Sequence, residues 1–270
     1  MSSFASISSD KLIRLVGTPG APRIVDVRDQ DAFDADPFLV PGAIRREWSK
    51  VASWSAELGP FAVVVCQKGK KLSEGVAAWL RTAGIDAEVL EGGIEAWRFA
   101  GLPLVPAKTL PTEGLGESVW VTRSRPKVDR IACPWLIRRF VDPTARFLFV
   151  AASEVQAVAD RFDGQPFDIE SVHWSHRGEF CTFDIMIEEF GLYLEPLRRL
   201  ATIVRGADTA RPDLAPEVAG LLAVSLGLSR MHSDDLQQLE AGMTIYDAFY
   251  RWCRDAADET HNWPGKGARS

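Results

Sequence analysis

Along the first hundred residues, short continuous apolar runs alternate with apolar positions at helical spacing. Arg23 to Val27 reads as a short buried strand, Ala43-Ile44 follows the turn Pro41-Gly42, and Phe61 to Val65 is the strongest strand of the chain. Leu72, Val76, Trp79 and Leu80 then recur at helical intervals, Gly84 closes that helix, and Ala87 to Leu90 returns to strand. Ser9 or Asp10 is placed to cap an earlier helix through Leu15. This order predicts an α/β unit, a parallel sheet covered by helices, over residues 1–106.

Between Gly101 and Gly116 the periodicity stops and Pro103, Pro106, Pro111, Gly114 and Gly116 accumulate, so residues 107–117 read as a linker. The second domain, 118–270, reads as an α-rich α+β unit. It opens with a strand from Ser118 to Thr122. Ser153 and Gln156 fit a capping box for a helix through Phe162. Phe183, Met186, Ile187 and Phe190 share one helical face that ends at Gly191, and Leu194, Leu197, Leu200 and Val204 continue the period. Further helices are expected at 215–226, 234–240 and 244–256.

The 270 residues are 46% apolar and 25% charged, ordinary for a globular protein. A net charge of -6 excludes a general nucleic-acid binder while leaving room for a local basic patch. No apolar run is long enough to span a bilayer. Met1 to Asp10 carries no secretion-signal pattern, and the four cysteines (Cys66, Cys133, Cys181, Cys253) stand far apart in no paired framework. Reduced thiols in the cytoplasm are the expectation.

Cys66 changes the picture. It stands where the Phe61–Val65 strand gives way to Gln67-Lys68-Gly69-Lys70-Lys71 and then a helix. In such a loop, backbone N–H groups converge on the sulfur, and the helix N-terminus and three lysines favour its anion. The loop therefore reads as an anion-binding cradle around a nucleophilic thiol.

The second domain offers weaker chemistry. Arg123, Arg125 and Lys127 alternate along an extended segment and, with Arg130, are oxyanion-binding candidates; a solvated edge with salt bridges is the alternative. Pro134 suits a first helical position, which would place Cys133 at a helix start beside Arg130. Cys181 precedes Thr182, a candidate N-cap. Both are secondary thiols or inert core residues. His173, His176, Glu179 and Cys181 concentrate groups that zinc or iron accepts, although the spacing fits no standard zinc signature, and His176 could instead hydrogen-bond Asp184.

Four ordered phrases resemble the rhodanese (sulfurtransferase) superfamily: Ile24-Val25-Asp26-Val27-Arg28, Val40-Pro41-Gly42-Ala43-Ile44, the Cys66 loop, and Leu90-Glu91-Gly92-Gly93-Ile94-Glu95-Ala96-Trp97. The resemblance implies a doubly wound α/β fold and a Cys66 persulfide, held by the Gln67–Lys71 loop, whose sulfur passes from a small-molecule donor to a thiol or cyanide acceptor, with no cofactor. Lys71 stands where an arginine is common and Leu72 where a small hydroxyl residue is common, which bears on thiosulfate as donor. Residues 118 to 264 resemble the C-terminal domain of the chromate-resistance B family. The phrases are Trp120 to Arg123, Arg125 to Trp135, Ser175 to Glu179, Arg205-Gly206-Ala207-Asp208-Thr209 and Thr260 to Pro264. That resemblance implies a link to chromate resistance. The expected function is a sulfurtransferase in that setting. The alternatives are a chromate or oxyanion sensor without sulfur turnover, or a metal-dependent redox protein.

Overall fold

The computed structural model describes residues 5–259. The chain enters as β1 (Ser6–Ile7) and α1 (Ser9–Leu15), whose cap is Ser8: its hydroxyl accepts from the Lys11 amide. Then follow β2 (Arg23–Asp26), α2 (Gln30–Ala35), β3 (Phe38–Leu39), β4 (Ala43–Arg45), α3 (Val51–Trp54), β5 (Phe61–Val65), α4 (Lys71–Thr82), β6 (Asp86–Leu90), α5 (Gly93–Phe99) and β7 (Val105–Pro106). Strands β1, β6, β5, β2 and β4 pair in that order, all in parallel, while β3 and β7 form a separate antiparallel pair. The doubly wound parallel sheet read from the sequence is therefore present. Its centre is β5, where Ala62, Val63, Val64 and Val65 are buried, as a strand covered on both faces requires.

A buried ion pair closes the end of β2. The Arg28 guanidinium donates to both Asp26 carboxylate oxygens and to the carbonyls of Asp36 and Phe38. Both side chains are withdrawn from solvent, so the pair ties β2 to the segment between α2 and β3. These residues fix the fold.

The second half runs β8 (Val119–Arg123), α6 (Asp129–Leu136), a π-helical turn (Ile137–Val141), β9 (Arg146–Val150), α7 (Val155–Arg161), β10 (Gln165–Pro166), α8 (Thr182–Glu189), α9 (Glu195–Asp208), α10 (Val218–Met231) and α11 (Asp235–Asp255). The domain is helix-rich as expected, and β10, β8 and β9 form a three-stranded parallel sheet in that order. The two helices expected at 234–240 and 244–256 are one, α11. Gly242 does not interrupt it: a Cβ there would collide with Ile131 Cγ2, so the glycine lets α11 lie close against α6. The expected box between Ser153 and Gln156 is not formed; the Ser153 hydroxyl bonds the Glu154 carboxylate instead, and α7 starts at Val155.

The segment 107–117 is docked rather than free. Ala107 and Leu110 are buried, the Gly114 carbonyl accepts from the Arg45 amide at 2.7 Å, and the Leu115 carbonyl accepts from Arg46. One apolar cluster runs from Leu12 and Val16 through Phe140 to Tyr250, crossing between the halves. The Gly42 amide donates to the Phe140 carbonyl at 2.6 Å, adding a backbone tie. No helix among the described residues is long and apolar enough to cross a membrane.

Candidate functional site

Two places in the molecule gather chemistry, each at the carboxyl edge of a parallel sheet, where open α/β sheets present their ligand-binding loops. The first is Cys66, directly after β5. Its sulfur is buried, 3.0 Å from the Ser73 hydroxyl in the first turn of α4 and 3.5 Å from the Lys70 carbonyl. Ser73 also donates to that carbonyl at 2.9 Å. Sulfur, hydroxyl and carbonyl therefore form a closed triangle suited to the neutral thiol. When the sulfur ionises, the carbonyl has nothing to offer it, and the Ser73 hydroxyl is the side chain in place to turn and donate. That partner lies one position beyond Leu72, where the sequence comparison placed the missing hydroxyl.

The loop Gln67–Lys70 is held by the turn after β6. Ile94 and Glu95 amides donate to the carbonyls of Cys66 and Gln67, and the Gln67 side-chain amide donates to Glu95. The two backbones approach so closely that both contact points are glycine. Gly69 has φ +63° and a Cβ on it would meet the Leu90 carbonyl, while a Cβ on Gly93, at φ +62°, would meet the Cys66 carbonyl. Gly69→Ala is expected to displace the loop and slow iodoacetamide alkylation of Cys66 by about tenfold or more while circular dichroism stays unchanged, since a small misplacement of reacting groups has that order of cost. An unchanged rate in that variant would show that the loop's shape is not what matters. Lys68, Lys70 and Lys71 are exposed and engage no carboxylate among the described residues, so their charge is available at the rim of the cradle.

A second cluster lies past the ends of β8 and β10. Asp129 opens α6, is fully buried, and accepts from the first amides of α8: Thr182 N–H at 2.7 Å and Phe183 N–H at 3.3 Å. Asp168 follows β10 with φ +52° and takes Arg123 and Arg130, each at 3.2 Å, and the Thr182 hydroxyl. His176 Nε2 stands 3.5 Å from Asp129, 3.4 Å from Asp168 and 3.2 Å from Asp208, the last residue of α9. Burial pushes the Asp129 carboxyl up to about 7. Hydrogen bonding to Asp129, then Asp168 and Asp208, raises the His176 imidazole to about 12. Asp168 lies below the usual carboxylate range: burial opposes this, but His176, Arg130 and Arg123 outweigh it. Next to Asp129 the backbone is strained, with Val128 at φ +36°, a conformation costly for a β-branched residue. It is clamped from α11, where Tyr246 donates to the Val128 carbonyl and Gln238 to the Pro126 carbonyl.

The candidates named from sequence separate in space. Of the basic residues, Arg123 and Arg130 converge on Asp168. Arg125 does not join them: its guanidinium donates to the carbonyls of Ser229 and His232 at the end of α10, so it serves as a helix cap. Lys127 is exposed and lines, with Arg125 and Arg230, a surface pocket against α10. The set His173, His176, Glu179 and Cys181 does not converge either. His173 lies 3.9 Å from Glu189, Glu179 is 85% exposed beside Arg211, and the Cys181 thiol donates to Asp184; only His176 joins the aspartates. The His176–Asp184 pairing is replaced by these contacts.

Cys133 is not at a helix start, because α6 already begins at Asp129 and Pro134 sits inside it. Burial pushes its thiol well above the usual range, and does the same at Cys181, which itself occupies the N-cap of α8 in place of Thr182. Cys253, buried in α11, is raised to about 11 by burial. The phrase at 260–264 lies outside the described residues, as do residues 1–4 of the segment read for a secretion signal.

Comparison with known proteins follows this division. Residues 8–100 match the rhodanese-like domain, and residues 120–253 match the C-terminal domain of ChrB. Protein ChrB of Cupriavidus metallidurans is 35% identical over 142 residues, which is 52% of this chain; the chain spans only 42% of that relative's length. Among solved structures, a rhodanese-related protein from Thermoplasma volcanium is 23% identical, covering 38% of this chain and 98% of the other, with a TM-score of 0.33. A rhodanese-like domain protein from Staphylococcus aureus is 27% identical, covering 35% and 91%, with a TM-score of 0.31.

Proposed function

We propose that this chain, a rhodanese-like domain joined to a ChrB C-terminal domain, is a sulfurtransferase that carries sulfane sulfur on Cys66 in the context of chromate resistance. What carries the reading is the placement of the Cys66 sulfur: at the carboxyl end of the central strand, before a helix N-terminus, inside a loop whose rim holds three lysines that engage no carboxylate among the described residues.

The chemistry proceeds in two displacements. The Cys66 thiolate attacks the outer sulfur of a donor such as thiosulfate; the S–S bond of the donor breaks, and sulfite leaves with the electron pair. Cys66 then bears a persulfide, whose negative outer sulfur is held by loop N–H groups and the lysine rim. A cyanide ion or a thiolate acceptor attacks that outer sulfur, and the Cys66 thiolate is released. Chromate is a thiol-reactive oxidant, so a sulfur carrier fused to a chromate-linked domain is chemically reasonable.

The test is steady-state thiocyanate formation from cyanide and a sulfane-sulfur donor by the full chain. Saturable turnover is expected, and none with any of several donors would contradict the assignment. Ser73→Ala gives a finer check. With its hydroxyl gone, the Cys66 anion loses its side-chain donor. Iodoacetamide alkylation at neutral pH should then slow by about tenfold, the lower end for a hydrogen bond to a charged group. An unchanged rate would show that Ser73 only packs.

The purely anion-binding reading gains less support from the second domain. Arg123 and Arg130 are engaged by Asp168 and Arg125 by α10, which leaves Lys127 as the uncommitted member of that set.

A further inference from the structure

The Asp129–His176–Asp208 cluster has an arrangement that hydrogen bonding alone does not explain. Asp168 is fully served by two guanidinium groups and the Thr182 hydroxyl. Asp129 has one amide on each oxygen and still turns Oδ2 toward His176. Asp208 has His176 as its only side-chain partner among the described residues. It also closes α9 at the end where the helix field favours a cation.

The imidazole Nε2 carries at most one hydrogen, which cannot point at three carboxylates. All three separations, 3.2, 3.4 and 3.5 Å, exceed the ~2.7–2.9 Å of a charge-assisted bond. Those to the Asp208 and Asp129 carboxylates, 3.2 and 3.5 Å, are close to another geometry. Donor atoms that each lie about 2.1 Å from a shared ion are roughly 3.0–3.4 Å apart in octahedral or tetrahedral coordination. The donor atoms of Asp129, His176 and Asp208 all lie within 4.8 Å of one another.

We propose that Asp129, His176 and Asp208 form a divalent transition-metal site at the carboxyl edge of the β10–β8–β9 sheet. One imidazole with two carboxylates suits Mn2+, Fe2+ or Zn2+, rather than the thiolate-rich chemistry of a structural zinc site. Asp168, anchored by Arg123 and Arg130, flanks the site with Oδ1 3.4 Å from Nε2. The amides of α8 act as the outer shell that fixes the Asp129 carboxylate. His176 remains partly open to solvent, which leaves a coordination position for water or an anion.

The experiment titrates the chelator-treated full chain with Mn2+ or Zn2+ by calorimetry, and with Co2+ by visible absorption. Saturable binding of one ion per chain is expected. Asp208→Asn and His176→Ala should each weaken it by at least about 100-fold, the upper end of what losing even an outer-shell partner costs. His173→Asn, Glu179→Gln and Cys181→Ser should bind as the unmodified chain does. If His176→Ala fails to fold, the partly exposed Asp208→Asn decides alone. Absence of saturable binding, or binding that survives Asp208→Asn, would overturn the proposal and leave His176 as a half-exposed cation that only braces the aspartates.

Discussion

Cys66→Ser is expected to remove sulfur transfer almost completely, by at least about 10³-fold, because the nucleophile that bears the transferred atom is gone. The loss should be chemical rather than structural. Serine is close to isosteric with cysteine, and the Ser73 hydroxyl and Lys70 carbonyl that surround the sulfur would accept or donate to a hydroxyl equally well. The position belongs to the apolar cluster beneath β5, where its neighbours Val64, Val76 and Ala77 supply the packing. Circular dichroism and thermal melting should therefore match those of the unmodified chain while thiocyanate formation disappears. A serine variant with equal turnover would assign the activity to another group. Cys133 and Cys181 are poor substitutes, since burial holds both as neutral thiols.

The largest stability effect is expected at Asp129→Ala. Its carboxylate receives the two leading amides of α8 in a place water does not reach. Alanine leaves those N–H groups without an acceptor and removes one of the carboxylates facing His176. Deleting one partner of a buried charged network costs about 3–5 kcal/mol. For a domain of ~150 residues, each kcal/mol moves Tm by about 2–4 °C, so a drop of roughly 10 °C is expected in calorimetric or spectroscopic melting. Asp129→Asn should fall between, because its amide oxygen keeps one acceptor while its NH2 opposes the second donor. A melting temperature within a degree or two of the original for the alanine variant would mean that α8 caps itself.

What was legible in the sequence follows from how local each signal is. The β5–Cys66–α4 unit is a continuous run whose strand, loop and helix patterns adjoin, and the Glu91-Gly92-Gly93 phrase could be recognised because close backbone approach demands glycine. The sequence reading does not give the strands β1, β3, β7, β9 and β10. Four of them are only two residues long, and β9 lies at a sheet edge with Leu148, Phe149 and Val150 half-buried, so no alternation appears. Proline at 134 suggests a helix start, but the buried Asp129 begins the helix five residues earlier.

The aspartate cluster was missed for the opposite reason: its members come from β8–α6, the turn after β10, and the end of α9, and nothing local joins them. Hints existed. Asp129 and Asp208 both stand in the phrases that carried the resemblance, and aspartate is among the residues that tolerate the left-handed backbone found at position 168. Reading proximity along the chain instead, the sequence joined His176 to His173, Glu179 and Cys181, whose side chains turn to different neighbours.

The central claim is that Cys66 carries a sulfur atom as a covalent intermediate. The direct measurement is peptide mass spectrometry of the full chain after brief incubation with a sulfane-sulfur donor, followed by addition of cyanide. The account predicts one additional sulfur on the peptide containing Cys66, absent from those containing Cys133 and Cys181, and its disappearance when cyanide is added. A Cys66 peptide that never gains that mass, under conditions where thiocyanate is formed, would contradict it.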